Sequence, residues 1–242
     1  MPTFILIHGA WHGGWCWERV VPLLNERGCH VLAPDLPGMG KDPTPLADIT
    51  LSHWAKFVSN LARQQNEKVI LVGHSRGGLV ISQAAEYAAE SIQGLIYLAA
   101  FLIPNGETLW RTLRQYPRAA ERPLDLVLSS DHRISRVSPA GIRDTFYNTT
   151  LEVWLERAAA QMGPEPMISF LTPLTLTPSG FEQVPRTYIE CLQDKAIPIG
   201  LQRSMVSTLP CKQVLTLDTD HSPFYSAPEK LTEHLLSLAT VF

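Results

Sequence analysis

Short apolar runs alternate along the chain with longer segments patterned like amphipathic helices. The runs Thr3–His8, His30–Pro34, Lys68–Gly73, Gly94–Ala100, Arg186–Cys191 and Gln213–Leu217 are β-branched or leucine-rich, and most end at Gly, Pro, Asp or Asn. They read as strands of a parallel sheet whose two faces are both covered by helices. Helical segments fall at Trp15–Arg27, Ser52–Gln65, Gly77–Glu90 and Pro228–Ala239. The expected class is α/β, with a mostly parallel sheet of about six strands flanked by helices.

One interval breaks the alternation. From Asn105 to Glu182 no clear strand is visible, and Pro117, Pro123, Pro139, Pro164, Pro166 and Pro173 cut the chain into short helical pieces. About 80 residues is too long for a loop in a compact domain. The expectation is a helical cap over residues 105-182, inserted into a core made of 1-104 and 183-242 and lying over the carboxyl ends of the strands.

Composition narrows the partners. The 242 residues suit one large domain or one domain with an insertion, and 45% hydrophobic against 18% charged residues excludes wholesale disorder. Twenty basic and 23 acidic side chains give a net charge of −3, which leaves no basic excess for a nucleic acid. No stretch approaches the roughly 18 apolar residues of a membrane span. Cys16, Cys29, Cys191 and Cys211 form no CxxC pair, so reduced thiols are expected rather than disulfides or zinc. Met1-Pro2-Thr3 leads straight into Phe4-Ile5-Leu6-Ile7 without a cationic region or cleavage site. A cytoplasmic location is expected.

The sharpest chemical signal is Gly73-His74-Ser75-Arg76-Gly77, between a five-residue apolar run and a helix-compatible segment. A GxSxG on a strand-to-helix turn places its serine in a strained conformation with the hydroxyl above the sheet. The following helix offers free N–H groups toward a developing negative charge. Serine needs a base, and of eight histidines His221 is best placed, in a polar loop after the last strand run. The orienting carboxylate belongs after an earlier strand, between serine and histidine in chain order. Asp194 fits. Asp218 and Asp220 are too near His221 in the chain to swing under its ring, and Asp35 precedes Ser75 and reads as a loop-fixing residue.

Near the start, Gly9-Ala10-Trp11 in a glycine-rich turn follows the first strand. The N–H groups of Ala10 and Arg76 are the expected oxyanion hole. His8 and His12 read as loop-holding hydrogen bonders rather than metal ligands, because the surrounding glycines disfavour a helix and no acidic partner completes a site. No GxGxxG or Walker pattern occurs, so neither a metal nor a nucleotide cofactor is expected.

With these residues in place the chain resembles the α/β-hydrolases, in the branch of plant methylesterases, hydroxynitrile lyases and their bacterial esterase relatives. The likeness runs nearly end to end, through Phe4–Trp15, Val69–Gly78, Asp194–Pro198 and Asp220–Phe224, and Phe224–Pro228 is similar to small bacterial esterases acting on pyrethroids or carbamates. The resemblance implies a Ser75–His221–Asp194 triad that cleaves carboxylic esters through an acyl-enzyme, with a small-molecule partner and no cofactor. Lyases of the branch carry a threonine and a lysine where Gly9 and Ser222 stand here, which disfavours cyanide chemistry. Arg76 replaces the Leu, Met or Cys common beside the nucleophile, and its side chain is expected to be anchored in a salt bridge away from the site. The aromatic and methionine content of the insertion points to an uncharged ester, carbamate or lactone with an apolar portion. Expected substrate contacts are Gly9, Trp11, Trp110, Tyr147, Trp154 and Phe170. Apolar residues of the insertion would support a homodimer. The rival reading is a non-catalytic small-molecule receptor on the same fold.

Overall fold

The computed structural model describes residues 1–116 and 125–242, so Pro117 and Pro123 lie outside the described residues. The strands in chain order are β1 (Thr3–Ile7), β2 (His30–Leu32), β3 (Val69–His74), β4 (Ile92–Leu98), β5 (Leu126–Leu128), β6 (Ile134–Val137), β7 (Glu165–Pro166), β8 (Arg186–Cys191) and β9 (Val214–Leu217). The α-helices are α1 (Val20–Glu26), α2 (Leu51–Arg63), α3 (Gly77–Ala88), α4 (Leu109–Gln115), α5 (Pro139–Phe146), α6 (Glu152–Ala159), α7 (Ile168–Leu171), α8 (Ile199–Thr208), α9 (Pro223–Ser226) and α10 (Pro228–Ala239).

A six-stranded parallel sheet runs in the order β2-β1-β3-β4-β8-β9 and is flanked by helices. Its centre is apolar on both faces: Phe4–Ile7 and Val69–Val72 are fully buried, in register from Thr3↔Val69 to Ile7↔Gly73. Such strands can only persist between two helical layers, which is why they read as unbroken apolar runs. α2 supplies one covering face with Leu51, Trp54, Ala55, Val58 and Ala62, and the Thr50 hydroxyl caps its first turn by accepting from His53 N–H. From β1 the chain passes to β2 on one side and then returns to β3 on the other. This reversal opens a crevice at the carboxyl ends of β1 and β3, where ligands of open α/β sheets bind.

Two elements depart from the sequence expectation. The insertion is not purely helical, because β5, β6 and β7 form a second, antiparallel sheet inside it. These strands span three, four and two residues, too few for alternation to show. Asp131 builds the turn between β5 and β6, accepting from Ser129 Oγ–H and Arg133 N–H. The expected Trp15–Arg27 helix is also broken, into a 3-10 turn at Gly14–Trp17 and α1 from Val20. Pro22 accounts for the late start, since proline is tolerated only in a helix's first turn.

Candidate active site

Two residues, Ser75 and Arg76, separate β3 from α3. Reversing so sharply forces Ser75 to φ +54°, a left-handed conformation costing a non-glycine residue about 1 kcal/mol or more. Three backbone bonds hold it there: Ser75 N–H to Leu98 C=O, and Ser75 C=O from Gly78 and Phe101 N–H, at 3.0–3.3 Å. A Cβ on Gly73 would lie 2.8 Å from Gly77 O, and one on Gly77 would lie 2.8 Å from Ile7 O, so both flanking positions require glycine.

Asp194 and His221 stand in the loops after β8 and β9, at the same end of the sheet as Ser75. His221 Nδ1–H donates to Asp194 Oδ2 at 2.7 Å, both side chains being buried. The remaining nitrogen, Nε2, is buried and makes no hydrogen bond in this arrangement. His74, the residue before Ser75, donates Nε2–H to His221 C=O at 2.7 Å, and the two rings lie 4.5 Å apart. Asp194 is fixed on both oxygens: Oδ1 accepts the N–H groups of Ala196 and Ile197 at 2.8 Å, and Oδ2 also accepts Gln202 Nε2–H at 3.2 Å. Burial pushes the Asp194 carboxyl up, while His221 and these backbone donors pull it back. The alternative carboxylates are engaged elsewhere. Asp220 accepts from Thr149 N–H, Thr150 Oγ–H, Ser222 N–H and Ser226 Oγ–H, Asp218 from Gln193, and Asp35 from Gly14 and Lys41 N–H.

Gly9 lies against the serine: a Cβ there would meet Ser75 Cβ at 2.8 Å and His74 Nδ1 at 3.0 Å. Among the described residues the N–H groups of Ala10 and Arg76 find no acceptor. His8 joins this turn to the segment after β2, donating Nδ1–H to Gly9 C=O and accepting Leu36 N–H. His12 donates Nδ1–H to Ala10 C=O at 2.7 Å and accepts Tyr147 O–H at 2.6 Å. Burial lowers the pKa of His8, His12 and His74, that of His12 to about 4, so all three act as neutral imidazoles near neutral pH.

The insertion holds the same turn. Trp11 sits at φ +60°, with N–H donated to Glu165 Oε2, C=O accepting Gly163 N–H and indole N–H donated to Ser135 Oγ, at 3.2, 2.8 and 3.2 Å. Glu165 also faces the Arg76 side chain. Arg76 Nε lies 2.9 Å from Glu165 Oε1, Nη2–H donates to Gly9 C=O at 3.1 Å, and the guanidinium stacks 4.1 Å over the Trp54 ring. Neither side chain reaches solvent. Burial raises the Glu165 carboxyl and lowers the Arg76 guanidinium, each offset in part by the other's charge.

Of the expected substrate contacts, Gly9, Trp11, Tyr147 and Phe170 converge here. Trp11 packs between Phe146 and Phe170, with centroids 5.8 and 5.7 Å away, and Phe146 lies 5.6 Å from the His221 ring. Trp154 is taken up by stacking on Tyr225 and by the Arg19 guanidinium over its face. Trp110 is 44% exposed on α4. Neither joins the Trp11 cluster.

A model of the alpha/beta hydrolase family matches residues 4–234. The chain belongs to this family. The chain is 34% identical to a pyrethroid hydrolase of Sphingobium wenxiniae, over 97% of this chain and 86% of that protein. It is 33% identical over 98% of its length to putative methylesterase 11, chloroplastic, of Arabidopsis thaliana, and spans 64% of that protein. Among solved structures, a pyrethroid hydrolase from Sphingobium faniae JZ-2 matches with a TM-score of 0.87 at 31% identity, over 99% of this chain and 97% of the other. Polyneuridine aldehyde esterase shares the fold with a TM-score of 0.88 at 24% identity, over 99% of both chains.

Four residues of the candidate site carry no signal in the sequence that marks them as site residues. Phe146 was visible only as one more aromatic of the insertion. Gln202, on the unforeseen helix α8, carries no motif, and Glu165 meets Trp11 across 154 positions of chain. Asp220 was read only as a rejected acid, although its place before His221 is where a loop anchor would stand. Among the described residues no group of three His, Cys, Asp or Glu side chains is placed to hold a metal ion, and no helix is long and apolar enough to cross a membrane.

Proposed function

We propose that the protein is a serine esterase that cleaves small to medium uncharged carboxylic esters through an acyl-enzyme. The observation that supports this most is the His221–Asp194 bond: with Nδ1–H donated to the carboxylate, buried Nε2 is left free to act as a base, and the contact of His74 with His221 sets that ring near the strained Ser75 turn. Ser75 Oγ attacks the ester carbonyl as Nε2 takes its proton. The N–H groups of Ala10 and Arg76 receive the negative charge on the carbonyl oxygen. The imidazolium, steadied by Asp194, returns the proton to the leaving alkoxide, and water releases the acid by the same steps.

An apolar acyl or alcohol group suits the Trp11, Phe146 and Phe170 wall, and methylesterases and a pyrethroid hydrolase stand among the relatives. Residues 105-182 then serve as the cap that sets substrate choice. The four free cysteines suit a reducing compartment such as the cytoplasm. Hydrolysis of nitrophenyl esters of graded acyl length by wild type and Ser75→Ala tests the proposal. Wild type should turn them over with a chain-length optimum, and the variant should lose at least about a thousandfold. Equal rates in the two proteins would refute it.

A further inference from the structure

The Arg76–Glu165 pair lies wholly buried beside the nucleophile, where two charges are costly. A buried ion pair often stabilises no better than well-packed apolar residues of the same volume, so stability alone does not account for it. Its bonds reach one short stretch of backbone. Arg76 Nη2–H donates to Gly9 C=O, and in a trans peptide that carbonyl points opposite to the N–H of Ala10 in the same plane. His8 Nδ1–H donates to the same oxygen at 2.9 Å, so Arg76 is one of two groups that pin it and thereby aim the Ala10 N–H. The next peptide is pinned at both ends, with Ala10 C=O accepting from His12 and Trp11 N–H donating to Glu165. Trp11 needs such restraint, since φ +60° is strained for a bulky residue. Ser169 Oγ–H, donated to Glu165 Oε1 at 2.9 Å, orients the carboxylate in turn. The other oxyanion donor is the backbone N–H of Arg76 itself.

We infer that Glu165, carried by the insertion, and the Arg76 side chain are positioning residues that together fix the direction of the Ala10 N–H in the oxyanion hole, so that the seating of the insertion tunes transition-state stabilisation. This rests on the serine-esterase reading given above. The two groups touch neither substrate nor reacting atoms, and they act through the Gly9–Trp11 turn. Losing them should lower transition-state affinity while ground-state binding is kept.

The test compares wild type with the double variant Arg76→Met/Glu165→Met and with Arg76→Lys. The readouts are kcat and KM on a nitrophenyl ester, inhibition by a trifluoromethyl ketone that adds Ser75 to form a bound oxyanion, and the thermal midpoint. The double variant removes both buried charges and leaves the Trp11 N–H without its acceptor, so its midpoint should fall by only a few degrees while the fold is kept. Its kcat should nevertheless fall about 10- to 100-fold, a part of the 10²–10³ lost when one oxyanion donor is deleted. KM should stay within about threefold, and ketone affinity should weaken by the same factor as kcat/KM. Arg76→Lys keeps a charge for Glu165 but has no fork to reach Gly9 as well, so it should show the same split in smaller measure even if the double variant folds poorly. Full kcat and wild-type ketone affinity in either folded variant would overturn the inference. Wild type without Ser75-dependent turnover or ketone inhibition would instead show that the esterase reading itself is wrong, and the inference would fall with it.

Discussion

Replacing Asp194 by asparagine should invert the hydrogen bond that prepares His221. The structure settles how the new amide would sit. Its oxygen must take the Oδ1 place, where the N–H groups of Ala196 and Ile197 both donate at 2.8 Å. The NH2 then takes the Oδ2 place, facing His221 Nδ1 at 2.7 Å and Gln202 Nε2 at 3.2 Å. The opposite orientation would set the NH2 against two backbone donors instead of one side-chain donor, each buried clash costing about 1–3 kcal/mol. An NH2 facing Nδ1 donates to it, so the imidazole proton moves to Nε2, the atom that must accept the Ser75 proton. A triad in the wrong tautomer loses about 10⁴ in kcat, which is about 5.4 kcal/mol of barrier at 1.36 kcal/mol per tenfold. Stopped-flow release of nitrophenol from an activated ester would show the loss in the acylation step, with circular dichroism confirming the fold. Asp220→Asn is the control. It disturbs a loop anchor of four donors and should cost stability while keeping kcat within about tenfold. An Asp194→Asn enzyme within tenfold of wild type, or no slower than Asp220→Asn, would show that Asp194 does not set the His221 tautomer.

Two other outcomes follow from the geometry. Gly9→Ala sets a methyl against Ser75 Cβ at 2.8 Å and His74 Nδ1 at 3.0 Å, neither the end of a flexible chain, so steady-state kinetics should show kcat down by about 10² or more. His12 is held neutral with its pKa lowered to about 4, so between there and its ordinary 6.5 the unfolded chain binds more protons than the folded one. Stability tied to this group is therefore full above pH 6.5 and lost as pH falls toward 4. Denaturant titrations should show wild type losing about 3 kcal/mol relative to His12→Gln between pH 7 and 4. The difference between the two proteins isolates this group from the buried carboxyls of Asp194 and Glu165, whose raised pKa values act in the opposite direction. A pH-independent difference would show that His12 does not titrate as described.

The sheet was legible because its central strands are apolar on both faces and end at turns that few sequences can make. Arg186–Cys191 and Pro228–Ala239 were read to the residue. The elbow was legible for the same reason, since Gly73 and Gly77 are required by contacts of their own turn. What stayed hidden depends on partners distant in the chain. α8 mixes Gly200, Gln202 and Ser204 among its apolar residues, and its value lies in Gln202 reaching back to Asp194 and Cys191. The strands of the insertion are too short to show a period. Arg76 was noticed as unusual beside a nucleophile, but its partner Glu165 lies 89 positions away in an interval read as helical. Aromatic content marks the insertion in bulk without separating Phe170, packed on Trp11, from Trp110 at the surface.

On the proposed mechanism Ser75 is the nucleophile and forms a covalent acyl intermediate. Mass spectrometry of the protein quenched during turnover of a nitrophenyl ester, or after treatment with a fluorophosphonate, tests this most directly. One acyl or phosphonyl group per chain should appear on the peptide holding Ser75, rising as activity is lost to the phosphonate, with none on Ser75→Ala. Continued hydrolysis with Ser75 unlabelled, or a label on another residue, would contradict the account.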